Sequence, residues 1–284
     1  MSMLQAVILG ALQGLTEFVP VSSTAHLFLA QALMGIRNDD IALSFDIVLH
    51  LGTAAALMVS TRRELLRMLE ETWLFVRREP ARDATARALL LPLVVGTIPG
   101  VLAGLFLLKK FEARRSVALI GASMLVACVY FFLAEGLSDR RRTPDRPLAD
   151  IDAADGFWIG LAQAAAGLLA GFSRSGFTIA TGRLRRFARP DAARFSFLLA
   201  LPIILGAGAK ALLDLRKAAG PSMPGVELWA GFAAAAVVGY ASIEGLLRFL
   251  RNHSLRPFAV YLGLLGLVLL LGTAFPGAIA LPGR

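Results

Sequence analysis

The chain has 284 residues, 57% of them hydrophobic and 17% charged, which excludes a soluble domain that merely has a large core. Its formal net charge of +9 does not point to nucleic acid, because the arginines fall in short loops between apolar runs and not along one amphipathic face; topology signals and lipid head groups account for them. Cys128 is the only cysteine and lies within an apolar run, so neither a disulfide framework nor a thiolate metal site is expected.

No basic segment precedes the first apolar stretch and no small-residue cleavage site follows it, so no removable signal peptide is expected. The first polar patch, LQGLTEFVPVSSTAHL from Leu12 to Leu27, and a second, AGFSRSGFT from Ala170 to Thr178, each interrupt apolar sequence. Each leaves flanking pieces of about 15 residues, which as helices reach only about 22 Å and fall short of a hydrocarbon core of roughly 30 Å. Pro20 in the first patch, and Gly171 with Gly176 in the second, favour a broken helix. A re-entrant helical hairpin is therefore expected at about 3–36 and again at about 156–186, with its unpaired backbone facing protein or a wet cavity.

Three full spans are expected after each hairpin: about 42–60, 88–108 and 116–136, then about 195–213, 227–247 and 257–275. A shift of about 150 residues aligns Gln13 with Gln163, Ser23 with Ser173 and Phe45 with Phe195, so the patches are equivalent positions of two halves. Because three spans is an odd number, the halves must have opposite orientations. The expected fold is all-α and polytopic: one membrane domain over 1–284, built as an inverted repeat of 1–137 and 155–275, with a site where two broken helices meet. Loops 61–87, 137–155, 183–194 and 248–256 hold 19 Lys and Arg, whereas the other side, with Arg37, Lys109 to Arg115, Arg216, Lys217 and Arg284, holds 8. The positive-inside rule makes the first group cytoplasmic, so both termini and the open end of the first hairpin face outward.

Ionisable residues at membrane depth are costly and mark a functional site by default. Glu17 follows Gln13 by four residues, on one face of a helix ending at Pro20. Such a carboxylate could bind a divalent cation, orient a nucleophile, act as a general base or simply cap the break. Ser22, Ser23 and Thr24 begin the second half-helix; capping needs one hydroxyl, and a helix N-terminus attracts phosphate. His26 lies three and four residues beyond Ser23 and Ser22, within reach of a serine hydroxyl, and reads as the acid or base of a Ser/His arrangement. His50 and His253 lack such company and read as structural. Arg174, flanked by Ser173 and Ser175 with Thr178 one turn on, has no acidic neighbour in sequence and needs an anion, either a phosphate or Glu17 itself. Lys210 and Glu244 lie about one turn from span ends, where snorkelling accounts for them. Gly-rich nucleotide loops and Cys/His zinc spacings are absent, which gives no support to an ATP-driven pump.

These motifs resemble those of the undecaprenyl-diphosphate phosphatases, also called bacitracin-resistance proteins. Gln13-Gly-Leu-Thr-Glu17 followed by Pro-Val-Ser-Ser-Thr-Ala-His26 is similar to the family's (E/Q)-x-x-x-E motif with its serine pair and histidine, and Ser173-Arg174-Ser175-Gly176 with Thr178 is similar to PG-x-SRSG-x-T. FDIVLHLGT from Phe45, ARFSFLLALPIILGAG from Ala193 and RNHSLRPFAVY from Arg251 extend the resemblance over essentially the whole chain. Gln13 stands where some members have glutamate, Ala170 where the second motif commonly has proline, and Leu262 where many members have arginine.

The resemblance implies an integral-membrane hydrolase of the bacterial plasma membrane that converts undecaprenyl diphosphate to undecaprenyl phosphate, recycles the carrier lipid of cell-wall synthesis and confers bacitracin resistance, bacitracin competing for the same lipid. It implies a divalent cation, Mg or Ca, with Glu17 as its ligand. In this reading Glu17, Ser23, His26 and Arg174 are catalytic, and Gln13, Ser22, Thr24, Ser173, Ser175 and Thr178 hold the substrate. Membrane lipid is the remaining partner, nucleic acid is none, and a homodimer is left open. The rival class is a transporter or lipid flippase, which would move a phosphorylated lipid without releasing phosphate.

Overall fold

A computed structural model describes residues 1–36, 40–107, 116–141, 143–218 and 225–274. Arg37, Lys109 to Arg115 and Arg284, which entered the charge count, lie outside the described residues, as do Leu108 and Phe275 at the ends of two expected spans. The side chains of Arg216 and Lys217 also lie outside them.

Eleven α-helices follow one another among the described residues: α1 (Met3–Phe18), α2 (Ser23–Leu33), α3 (Asp40–Ser60), α4 (Arg62–Val76), α5 (Ala84–Phe106), α6 (Val117–Asp139), α7 (Ala153–Leu168), α8 (Arg174–Leu184), α9 (Arg189–Ala218), α10 (Gly225–Asn252) and α11 (Arg256–Ala274). Local chemistry sets their starts. Ser2 and Asp152 form capping boxes with Gln5 and Asp155, while Asp83 and Ser116 accept backbone N–H bonds at the N-termini of α5 and α6.

Five helices are long and apolar enough to cross a membrane: α5, α6, the Arg189–Lys210 part of α9, α10 and α11. The sixth expected span, 42–60, qualifies only together with α4, onto which α3 bends by 73°. Their outward faces carry apolar side chains, among them Leu91, Val94, Val237 and Leu264, each more than half exposed. Such a surface suits hydrocarbon and not water, and the chain is a multi-pass membrane protein.

α1 and α2 form the first broken pair, separated at Pro20 as expected. α7 and α8 form the second; Gly171, at φ +100°, supplies the turn. Gly176 does not break a helix. It lies inside α8, where a Cβ would come within 2.1 Å of the Phe131 ring, so its role is close packing.

Packing crosses between the halves. α1 lies along α10, and α7, the first helix of the second broken pair, lies along α5. Both contacts use glycines: a Cβ on Gly10 would sit 2.3 Å from the Gly231 carbonyl oxygen, and one on Gly160 would sit 2.1 Å from that of Gly96. Gly160→Val is therefore expected to force α5 and α7 apart and cost about 3 kcal/mol, read as a lower melting temperature in detergent. An unchanged melting temperature would show that the contact yields without loss.

Ion pairs secure one end of the bundle. Glu135, fully buried in α6, accepts from Arg189 of α9 at 2.6 and 3.0 Å and from the Leu255 backbone N–H at 2.8 Å. This anchoring lets α9 begin at Arg189, before the expected 195. Glu244 accepts from Ser60 Oγ at 2.9 Å, tying α10 to the end of α3 and not snorkelling. Cys128 packs against Gly263 of α11.

Candidate active site

The tips of the two broken helix pairs meet. Glu17, in the last turn of α1, carries three hydrogen bonds: Gln13 Nε2 donates to Oε2 at 2.9 Å, Ser23 Oγ donates to the same oxygen at 2.6 Å, and Arg174 Nη2 donates to Oε1. Thus the carboxylate from one half pairs with the guanidinium from the other, across 157 residues of sequence. One side chain in each tip is mostly enclosed, the carboxylate being 5% and the guanidinium side chain 18% exposed. A close charge pair in such surroundings interacts far more strongly than one in water.

The chain folds this way at the tip because Pro20 cannot continue α1 and Ser22 turns the backbone into the left-handed region, at φ 72°. That conformation is strained for serine and typical of a site held in place by its surroundings. It brings Ser23, the first residue of α2, back over Glu17. In the second tip Ser173 caps α8, accepting from Gly176 N at 3.2 Å, so that Arg174 emerges from the first position of the helix.

A cavity of about 330 Å³ lies between the tips. Its polar wall includes Glu17, Ser23, Thr24, His50, Ser173 and Arg174, and its apolar wall includes Ile203, Ile204 and Ala207 of α9. Of the ten expected site residues, five line this space: Glu17, Ser23, Thr24, Ser173 and Arg174. The others do not. Gln13 is fully buried behind Glu17 and orients it. Ser22 has a buried hydroxyl with no hydrogen bond among the described residues. Ser175 Oγ lies 3.2 Å from Ser173 Oγ, beneath the wall. Thr178 Oγ1 turns onto its own helix, donating to the Arg174 carbonyl at 2.8 Å, and meets Ser196 Oγ at 2.5 Å.

His26 does not make the expected contact with a serine hydroxyl. Its Nδ1 bonds the Ser22 carbonyl oxygen at 2.8 Å, its Nε2 meets the Tyr261 hydroxyl at 2.6 Å, and the two rings stack with centroids 5.7 Å apart. The carbonyl can only accept, so Nδ1 carries the proton. The left-handed Ser22 turns α2 so that this face meets α11 and not the cavity.

His50 takes the place beside the carboxylate. Its Nε2 is 3.7 Å from Glu17 Oε2, and its Nδ1 donates to the Asp46 carbonyl oxygen at 2.7 Å. Asp46 lines the cavity too, with Gln31 Nε2 donating to its Oδ1 at 2.6 Å. Sequence reasoning missed this group because His50 is 33 residues from Glu17. The signal was present in FDIVLHLGT, where Asp46 and His50 stand four apart on one helix face.

The donor set does not fit a divalent cation held by protein alone. Among the described residues no three His, Cys, Asp or Glu side chains converge as a metal site, and both oxygens of Glu17 are engaged by protein donors. What the arrangement offers is a serine hydroxyl hydrogen-bonded to a carboxylate, beside a guanidinium whose remaining N–H groups suit phosphate oxygens.

Comparison with known proteins follows the same lines. A family profile described as Bacitracin resistance protein BacA matches residues 6–268. An undecaprenyl-diphosphatase of Rubrobacter xylanophilus is 40% identical over 262 residues, covering 92% of this chain and 94% of its own length. One of Thermomicrobium roseum is 39% identical, covering 97% and 99%, and one of Myxococcus xanthus is 41% identical, covering 95% and 89%. With both tip motifs at one cavity and a match over nearly the whole chain, this protein belongs to the BacA bacitracin-resistance family.

Proposed function

We propose that this chain hydrolyses undecaprenyl diphosphate to undecaprenyl phosphate and inorganic phosphate, recycling the cell-wall carrier lipid and conferring resistance to bacitracin, which competes for that lipid. The observation that carries the reading is the convergence of Ser23, Glu17 and Arg174 on one cavity in a chain so similar to undecaprenyl-diphosphatases.

Ser23 Oγ attacks the terminal phosphorus, forming a P–O bond as the bond to the bridging oxygen breaks and undecaprenyl phosphate leaves. Glu17 Oε2, already accepting the Ser23 hydrogen bond at 2.6 Å, takes the proton. Arg174 and Ser173 hold the phosphoryl oxygens and stabilise their growing charge. Water then attacks the phosphoserine phosphorus as the Ser23 Oγ–P bond breaks; Glu17 returns its proton to Ser23 Oγ, restoring the hydroxyl, and the proton of the water leaves with the released phosphate. His50 Nε2, beside Glu17 Oε2, is placed to relay protons between that carboxylate and the cavity. His26 acts through the Ser22 turn as a positioning residue. The excess of basic residues in loops 61–87, 137–155, 183–194 and 248–256 supports a plasma-membrane orientation with the cavity opening to the periplasmic side.

The test is inorganic phosphate release by the purified protein in detergent, from undecaprenyl diphosphate and from shorter prenyl diphosphates. Phosphate release from the long lipid supports the proposal. Transbilayer movement of the lipid in vesicles, with no phosphate released, would instead establish the transporter reading.

A further inference from the structure

The polar cavity is too small to enclose a long polyprenyl chain, since about 330 Å³ lies at the lower end of the roughly 300–1,000 Å³ that suits drug-sized ligands. The chain must leave it, either straight into the bilayer or along the protein. A second, larger hollow of about 530 Å³ lies next to it along α9, bounded by Leu65 and Met68 of α4, Ile98 and Val101 of α5, and Leu201 and Pro202 of α9. Its one polar side chain, Thr97, donates its hydroxyl to the Leu93 carbonyl oxygen at 2.7 Å, so the hollow presents only apolar surface. Helix α9 borders both spaces: Leu198, Leu201 and Pro202 line the hollow, and Ile203, Ile204 and Ala207 line the cavity. Ile203, on the cavity side, lies over Gly100 of α5, where a Cβ would approach its Cδ1 to 3.0 Å. The hollow has a firm floor in Leu198 and Leu201, 4% and 5% exposed, and an open side toward lipid at Val94 and Ile98.

We propose that the groove between α4, α5 and α9 receives the isoprenoid chain of the lipid whose diphosphate occupies the polar cavity. This rests on the phosphatase reading and extends it to chain recognition. Burial of successive methyl and methylene groups in this groove strengthens binding in proportion to the apolar area covered. Because α9 borders both spaces, the head group can reach Arg174 while the chain runs along α9 toward α4. Ordinary phospholipid acyl chains also enter apolar grooves. What distinguishes the prenyl chain is its tether, a head group fixed in the adjoining cavity, which raises its effective concentration at the groove.

The experiment fills the groove. Val101→Trp places a large side chain at a position already 42% exposed to lipid, where folding tolerates it. The kcat/KM for undecaprenyl diphosphate is expected to fall about tenfold or more, while that for the much shorter farnesyl diphosphate changes by less than about twofold. Equal losses on both substrates, or no loss on the long one, would overturn the groove assignment with the phosphatase reading intact. A wild-type protein releasing phosphate from neither substrate would remove both. In the unmodified protein, an undecaprenyl diphosphate analogue bearing a diazirine within its chain is expected to label peptides containing 93–102 or 198–202, and excess undecaprenyl diphosphate should suppress that label. Labelling elsewhere, or labelling suppressed equally by phospholipid, would contradict the assignment whether or not the variant folds.

Discussion

Arg174→Ala is expected to lower phosphate release from undecaprenyl diphosphate by about a thousandfold or more, with the protein still eluting as a folded species in detergent. Arginines that stabilise transferring phosphoryl groups are worth roughly 10³ to 10⁵ in rate, and Arg174 is the guanidinium lining the cavity. The substitution also removes the partner of Glu17 Oε1, leaving a largely buried carboxylate that keeps its hydrogen bonds from Gln13 and Ser23, with His50 Nε2 3.7 Å away. Some loss of stability should accompany the loss of turnover, since a buried charge without its partner is strongly destabilising. Arg174→Lys separates the two effects. It restores the positive charge but not the planar fork, so stability should recover while turnover remains well below that of the unmodified protein. Turnover within about threefold of the original in Arg174→Ala would show that the guanidinium is a structural tie between the tips and not a phosphate clamp.

Ser23→Ala is expected to reduce turnover by about 10⁴-fold or more if its oxygen is the nucleophile, because removing an attacking group leaves only the catalysis due to binding and charge stabilisation. The folded state should be little affected. Glu17 keeps its bonds from Gln13 and Arg174, and Ser23 sits at the first position of α2, where alanine is compatible with the helix. The companion measurement is a rapid acid quench with substrate labelled at the terminal phosphate, which should place label on the peptide carrying Ser23 and not in Ser23→Ala. Full activity in that variant would eliminate the covalent route. It would leave water as the nucleophile, with Glu17 as its base.

How much of this was legible beforehand depends on which forces decide each feature. Both broken helices were readable, because Pro20 and Gly171 act through backbone geometry that no tertiary contact can override. The meeting of Glu17 and Arg174 was inferable from cost alone, since two unpaired charges at membrane depth must find each other or a ligand. The side-chain directions within the tips were not. Spacing placed His26 near Ser22 and Ser23, but a single left-handed residue at Ser22 turns the imidazole onto Tyr261, some 235 residues away. His50 enters the site for the opposite reason: α3 packs against α1, a long-range contact that periodicity in one segment cannot report. Helix α4 was legible only in part: loop 61–87 leaves open an interfacial amphipathic helix without showing which surfaces it would pack against. Its apolar residues, Leu66, Leu69 and Trp73 on the exposed side and Leu65 and Met68 toward the groove, serve two surfaces at once. The spacing of these residues among the charges of loop 61–87 reports an amphipathic helix but not its second, groove-facing surface.

Glycines at the crossings between halves show the same limit. Gly10, Gly96 and Gly160 read individually as weak points in apolar helices, yet each allows a backbone to approach another to contact distance. Only the partner reveals the purpose.

The central claim, that one tip from each half forms a single catalytic unit, is tested most directly by a double-mutant cycle on phosphate release from undecaprenyl diphosphate, using Glu17→Gln, Arg174→Lys and the two combined. If carboxylate and guanidinium act together, the combined variant should be no more than about threefold slower than the slower single variant. Rate losses that multiply would mean that the two groups work independently, and the shared site would have to be abandoned.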